Sequence, residues 1–501
     1  MPEQLGLVGR WVPRNARVIT ILLVAVATVN SATMGYDSAM MNGLNILPQY
    51  KDYFHLNNAT TGLNTGAMWI GSFLGALLIQ PAGDKLGRKN AILVAACINI
   101  LGSILTTTAH NIGQFVVGRV FVGIGSELAS GPAPALIAEI LPAKQRGSVL
   151  GLYFTCFYVG SLVSSGINYR AVDISGTWAW RLPSIIQAVP SLLAIALLPF
   201  VPESPRWLIN NNRSDEAREV IAIIHGNNDV DDPVTVEVFK EIVTVLEKEE
   251  QNNPEGPWKA FISTKANRHR LFIVVSFGVM VEMLGNFVIS YYLGDMLTQA
   301  GITDSKTQLQ VNVILSCWAF AIAIAGSLLM DVVGRRVMTL TAIGGMIVTL
   351  YIFGGLSKTY GSSDNKSAVY GIVAVIFLFQ GFYAWGITPM TSLYPAEFLS
   401  YKLRNAGLSI FRTLDSSFGL MASFAMSYAM ESLGWKFYII NASWNILFFA
   451  AVYFTWVETR LIPLEQVALK FGDLDLNTLH GQSEPEEVDL AAVTEEKSIK
   501  G

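Results

Sequence analysis

Asp84-Lys85-Leu86-Gly87-Arg88-Lys89 and Asp331-Val332-Val333-Gly334-Arg335-Arg336 are two copies of one charged loop. Each follows an apolar run and precedes another. A second motif repeats in the same register. Glu139 and Arg146 stand seven residues apart in the first half of the chain, and Glu397 and Arg404 seven apart in the second. One such match arises by chance. Two in equivalent places argue for a duplicated unit.

The runs around these loops decide the class. A helix that crosses a bilayer needs about 20 mostly apolar residues. Twelve runs qualify, near 18–37, 64–82, 91–109, 115–136, 148–167, 182–201, 271–294, 309–330, 337–356, 370–393, 406–429 and 437–457. They are numbered here as segments 1 to 12. Composition agrees: the 501 residues are 52% hydrophobic and 14% charged, where an average soluble chain is roughly 25% charged. The expected fold is an all-α membrane protein with 12 transmembrane helices in two pseudo-symmetric six-helix bundles.

This composition excludes a secreted disulfide scaffold, a disordered chain and a typical cytosolic enzyme. The net charge of −4 offers no broad basic face to nucleic acid. Cys97, Cys156 and Cys317 lie in apolar stretches, lack zinc-ligand spacing, and read as small buried hydrophobes. There is no phosphate-cradling Gly-rich Lys/Ser motif and no HExxH. No enzyme activity, cofactor or metal is expected.

The charge is concentrated. Of 72 charged residues, 22 fall in 203–270, which is too polar to span and divides the chain six plus six. The expected organisation is 1–17 as an N-terminal cytoplasmic segment, 18–202 as one bundle, and 203–270 as a cytoplasmic loop with short helices. Residues 271–457 form the second bundle and 458–501 a largely disordered cytoplasmic tail. Lys and Arg in short loops favour the cytoplasmic side. Their excess at Arg10, Arg14, Arg17, Lys85, Arg88, Lys144, Arg335 and Lys402 places both termini there. Asn58 and Asn365 then head N-glycosylation sequons in outside loops.

Ionisable residues inside apolar spans cost a few kcal/mol each and are functional hypotheses by default. Six stand out: Asp37, Arg119, Glu127, Glu282, Arg412 and Asp415. Arg412 and Asp415 are one helical turn apart and can pair with each other. Glu127 reads equally as a second proton site, a partner for Arg119, or a locally satisfied carboxylate.

The ordered motifs resemble the sugar porter branch of the major facilitator superfamily, over nearly all of 18–465. Besides the repeated loops, the landmarks are Gly35-Tyr36-Asp37, Gly118-Arg119, Trp180-Arg181, Pro202-Glu203-Ser204-Pro205-Arg206, and Glu458-Thr459-Arg460. Gly285-Asn286 and Leu393-Tyr394-Pro395-Ala396-Glu397 look most like fungal lactose and cellodextrin permeases. The resemblance implies a 12-helix fold and alternating access. It implies a monomer in the plasma membrane that moves a sugar, mono- or disaccharide, or a related polyhydroxylated solute together with a proton.

Residue by residue, Asp37 and Arg119 match the proton-coupling pair of proton-driven sugar porters. A neighbouring guanidinium favours the ionised carboxylate and burial the neutral one, so moving Arg119 would load and unload Asp37. Asp84, Arg88, Glu139, Arg146, Glu203, Asp331, Arg335, Glu397 and Arg404 sit at helix ends and are read as a cytoplasmic gate. The sugar site departs from the family. Phe154, Glu282, Ser392 and Asp415 stand where sugar porters carry amides or a Trp, while Asn286 remains. Tyr292 and Trp385 are the aromatic contacts expected. These departures leave open a polyol, a sugar acid or a fungal metabolite as cargo. A uniporter, an exporter and a transport-poor nutrient sensor remain rival functions.

Overall fold

The computed structural model describes residues 8–226, 228–252, 257–299, 301–360, 366–399, 401–460 and 470–471. Among these there are helices and no strands. Twelve segments cross the molecule. Segment 1 is Ala16–Ile46, segment 2 Asn58–Leu86, segment 3 Arg88–Thr107 and segment 5 Ala143–Ala171. Segments 8, 9, 11 and 12 are Ser305–Val333, Arg335–Tyr360, Tyr401–Leu433 and Trp435–Thr455. The others are broken: Ile112–Ser130 with Pro132–Ile140, Trp178–Ile186 with Ala188–Leu197, Lys265–Met283 with Asn286–Gln299, and Lys366–Gly386 with Met390–Phe398. Four short helices, Pro205–Asn210, Ser214–His225, Pro233–Asn252 and Pro257–Ser263, connect the two halves.

Side-chain caps start several spans. Asn57 accepts from the Thr60 N–H at 2.9 Å, and the Thr60 hydroxyl accepts from the Asn57 N–H at 2.7 Å. This reciprocal pair satisfies two donors that a helix start leaves open. Nine described helices are long and apolar enough to cross a membrane by composition alone. Segment 5 buries Ser164, Ser165 and Asn168. Segment 7 is interrupted, and segment 11 carries Arg412 and Asp415.

The break in segment 7 is chemically supported. Gly285 has φ +104° and ends the first half-helix. Freed carbonyls at membrane depth need donors. Segment 12 supplies them: Trp444 Nε1 donates to the Met283 carbonyl at 2.7 Å and Asn445 Nδ2 to the Leu284 carbonyl at 2.9 Å. Segment 10 breaks before Pro389, which lacks an N–H.

Apolar side chains such as Leu74, Leu77, Leu192, Leu328, Leu447 and Phe454 face outward and form the belt a bilayer would cover. Cys97 and Cys317 also face outward, and only Cys156 is buried, so the reading of all three as buried is corrected for two. Inside, segments 1 and 5 touch backbone to backbone. A Cβ on Gly35 would run into the Phe157 carbonyl, and one on Gly160 into that of Ala32.

The halves meet through polar side chains at the end away from the termini. Asn42 Nδ2 donates to Asn312 Oδ1 at 3.0 Å, and Asn45 Nδ2 to the Tyr291 carbonyl at 3.1 Å. The Ser165 and Ser316 hydroxyls are 2.9 Å apart, and Lys306 pairs with Asp173 at 2.7 Å. The conformation is closed at that end. The N-terminal stretch packs at the opposite end, where Val8 N donates to Glu219 at 2.9 Å and Arg14 pairs with the same carboxylate at 2.5 Å.

Candidate functional site

Three elements of the first half bring Asp37, Arg119 and Gln187 together. Asp37 is on segment 1 and Arg119 on segment 4, while Gln187 sits at the break in segment 6. Arg119 Nη1 and Gln187 Nε2 both donate to Asp37 Oδ1, the latter at 2.5 Å. All three side chains are buried, with Asp37 and Arg119 wholly inaccessible. Yet Asp37 Oδ2, Arg119 Nε and Arg119 Nη2 make no hydrogen bond. A buried ion pair is stabilising only when its remaining lone pairs and protons are satisfied. This one is crowded on one oxygen and bare elsewhere. Gln187 was missed in the sequence reading; an amide inside the apolar run 182–201 was the available signal.

Nearer the middle of the spans lies a second group. Glu282 on segment 7 meets Asp415 on segment 11. Asn286 reaches the Tyr383 hydroxyl, which also donates to the Val281 carbonyl at 3.4 Å, and Asn286 Oδ1 is buried with no partner. Arg412 Nη1 is 3.6 Å from Asp415 Oδ2, as their spacing suggested. Arg412 Nε is also 3.8 Å from Glu127 Oε1, across the boundary between halves. Glu127 therefore lies against Arg412, not Arg119, and takes a 2.9 Å hydrogen bond from the Ser130 hydroxyl. Tyr158 and Thr388 bridge the halves beside this group at 2.9 Å. Trp385 is half-buried and packs on the second-half core. The side chains of Phe154, Tyr292 and Ser392 lie outside the described residues.

At the termini end the duplicated loops build two matching clusters. Glu203 accepts from the N–H groups of Arg88 at 3.0 Å, Lys89 at 3.1 Å and Ser204 at 2.9 Å. Glu458 accepts from those of Arg335 at 2.9 Å and Arg336 at 3.0 Å. Each carboxylate thus caps the start of the helix after its loop, where the helix dipole favours negative charge. Arg88 reaches Glu139 at 3.1 Å, and Arg335 holds Glu397 at 3.0 and 2.8 Å. The Ser204 hydroxyl donates to Glu139, and the Thr459 hydroxyl to Glu397 at 2.7 Å. Burial pushes Glu203 above the ordinary glutamate range, against the pull of its three N–H donors and of Arg88.

Each of these ion pairs joins residues of one half, so in this conformation they stitch the halves internally. Asp84 offers its carbonyl to Trp207 Nε1 at 2.8 Å. Glu458, Ser204 and Thr459 were not among the gate residues read from the sequence, although the register of Glu203 in the first half pointed to a counterpart. The side chains of Arg146, Asp331 and Arg404 lie outside the described residues. So do the Asn58 side chain, Asn365 and the tail from residue 472.

The sequence profile of the family described as "Sugar (and other) transporter" matches residues 23–471. The chain belongs to this family. It is 29% identical to the high-affinity glucose transporter of Kluyveromyces lactis over 92% of this chain and 86% of that one. It is 26% identical to the MFS-type transporter oryC of Aspergillus oryzae, with the same shares covered. The probable polyol transporter 6 of Arabidopsis thaliana is 28% identical, over 92% of this chain and 95% of its own length. Among solved structures, the proton:xylose symporter XylE bound to 6-bromo-6-deoxy-D-glucose superposes with a TM-score of 0.76, covering 91% of this chain and 100% of that one at 20% identity. That likeness shows the fold, that of a multi-pass membrane protein of the major facilitator type, and membership of the family makes the chain a transporter, not an enzyme.

Proposed function

We propose that this chain is a proton-coupled symporter, importing a sugar or related polyhydroxylated solute by alternating access. It works as a monomer in the plasma membrane, with both termini in the cytoplasm. The observation that carries the proton role is the arrangement at Asp37. Two donors share one carboxylate oxygen while the other oxygen and two guanidinium nitrogens go unpaired. A purely structural ion pair would be expected to complete its hydrogen bonds. A pair that must exchange partners during a cycle would not. The solute reading draws on relatives named for glucose and polyols, and on the neutral donors and acceptors of Asn286, Tyr383, Tyr158 and Thr388 beside Glu282 and Asp415. Orientation rests on the Lys and Arg distribution. The two helix-end clusters serve as the gate: each half keeps its carboxylates and guanidiniums ordered at the face that must open and close.

The test is uptake of labelled glucose, xylose, inositol and sorbitol into proteoliposomes, with and without an inward proton gradient. Gradient-driven accumulation that Asp37→Asn abolishes is expected. Accumulation by Asp37→Asn equal to that of the natural chain overturns the coupling role. Equilibration that ignores the gradient overturns symport.

A further inference from the structure

Apart from Asp37 and Arg119, the spans hold a second run of charge. Glu127 on segment 4 and Arg412 on segment 11 approach to 3.8 Å, Arg412 and Asp415 to 3.6 Å, and Asp415 meets Glu282 on segment 7. One guanidinium therefore stands between two carboxyls, and the second of these meets a third. Asp415 is 8% exposed and Glu127 4%, so bulk water does not screen them. Net charge is expensive at this depth. Asp415 Oδ1 is buried and accepts no hydrogen bond. An ionised carboxylate can only accept, so the meeting of Glu282 and Asp415 is attractive only when one of them carries a proton. The neighbouring titratable groups do not supply the missing positive charge. Tyr153 faces Arg412 and Glu127 from segment 5, with Cys156 beside it, and Tyr383 faces Glu282 and Asp415, with Tyr158 beside it. Tyr291, on the outer half of segment 7, lies between Glu282 and the Asp37–Arg119 pair.

We propose that Glu282 and Asp415 form a second proton-carrying site, loaded and unloaded by Arg412 as it exchanges Glu127 for Asp415. The observed contact is the loaded form. Arg412 is shared with Glu127 of the opposite half, and the two carboxyls hold one proton between them. Alternating access moves the halves apart at this boundary, and this inference rests on that reading. When Glu127 withdraws, Arg412 closes on Asp415 alone. The O–H bond on the carboxyl pair then breaks, its electrons stay on the oxygen, and the proton leaves to water on the open side. The return of Glu127 reverses each step. The ligand of this carboxyl pair is a proton: Asp415 Oδ1 is buried, and the meeting with Glu282 is attractive only when the two share one. The site is separate from Asp37, since its carboxyls lie on segments 7 and 11 and its link to the first half runs through Glu127.

The test needs no transport substrate. Purified full-length protein in detergent at neutral pH is examined by infrared difference spectroscopy for the carbonyl stretch of a protonated carboxyl, with exchange into deuterated buffer. The natural chain is expected to show the band and Asp37→Asn to keep it. Glu282→Gln and Asp415→Asn should each lose it. Glu127→Gln should lose it too, because Arg412 then settles on Asp415 and expels the proton. Elution as a single monodisperse species shows which variants are folded, and two independent carboxyl variants guard against the failure of one. Absence of the band in the natural chain, or its persistence in both Glu282→Gln and Asp415→Asn, overturns the site. Persistence in Glu127→Gln alone overturns the exchange by Arg412. A band with the expected pattern alongside gradient-independent uptake would instead defeat only the symport reading.

Discussion

Arg335 holds Glu397 through two hydrogen bonds, Nε to Oε2 at 3.0 Å and Nη2 to Oε1 at 2.8 Å. Its counterpart in the first half, Arg88, reaches Glu139 through Nη2 alone at 3.1 Å. The duplicated clusters are therefore equivalent in topology and unequal in grip. Lysine can replace a single contact and cannot reproduce a two-pronged one. Arg335→Lys is expected to cost about 1–3 kcal/mol, and Arg88→Lys clearly less. Thermal unfolding of the two variants in the same detergent checks the order; equal losses would contradict it.

Gly87 and Gly334 have φ of +86° and +97°. A Cβ would stand 2.5 Å from Glu203 Oε2 at the first and 2.8 Å from Glu458 Oε2 at the second. Alanine at either must bear a strained backbone, costing about 1–3 kcal/mol, and must also push aside the capping carboxylate. Both variants should melt lower than the natural chain. Gly371→Ala, where a Cβ meets open space inside a helix, should be neutral or stabilise by up to about 1 kcal/mol. Melting curves that rank Gly371→Ala with the other two would refute the steric argument.

The seam between the halves can be locked. The Ser165 and Ser316 hydroxyl oxygens are 2.9 Å apart and belong to opposite halves. A Ser165→Cys, Ser316→Cys double variant, made with Cys317→Ser to avoid a neighbouring thiol, should form a disulfide under mild oxidation. The expected outcome is arrest of solute exchange, reversed by a reductant. Free exchange with the bond formed, scored by thiol labelling, would show that this seam does not open.

Glu203 gives a pH dependence of defined sign. Its pKa in the folded chain is raised by burial. The folded protein therefore takes up a proton there at a pH where the unfolded chain remains ionised. Stability from this group is greatest in acid and declines as pH rises from the ordinary glutamate range through the raised value. Glu203→Gln removes that decline. The melting temperature of the natural chain, taken relative to Glu203→Gln, should fall across this window. A difference that is flat or rises with pH contradicts the sign.

The spans and their pairing into halves were legible because apolar length and repeated charge motifs act locally along the chain. The Glu139–Arg88 and Glu397–Arg335 pairs join residues that the sequence reading had already singled out. Four features were not legible, each for a physical reason. Gln187 is an amide in an apolar run, and its value depends on a carboxylate on segment 1, five segments earlier in the chain. Glu458 reads as the start of a charged tail until it is seen capping the Arg335 helix. Glu127 and Arg412 belong to opposite halves, and no spacing within the chain reports on contact across that boundary. The break at Gly285 was also hidden, because the donors that make it tolerable, Trp444 and Asn445, come from segment 12.

Gly35 and Gly160 let segments 1 and 5 meet backbone to backbone. Asp37 lies two residues beyond Gly35, so its Cα is held close to that contact. Sliding segment 1 to carry Asp37 away from Arg119 would drive peptide groups into one another. The inexpensive movement left to the pair is torsional: Arg119 has a long side chain with several rotatable bonds, and Asp37 a short one on a fixed post. Under the proposed coupling, loading and unloading of Asp37 would then be one guanidinium swinging on its own bonds, with the rocking of the halves deciding which position it takes.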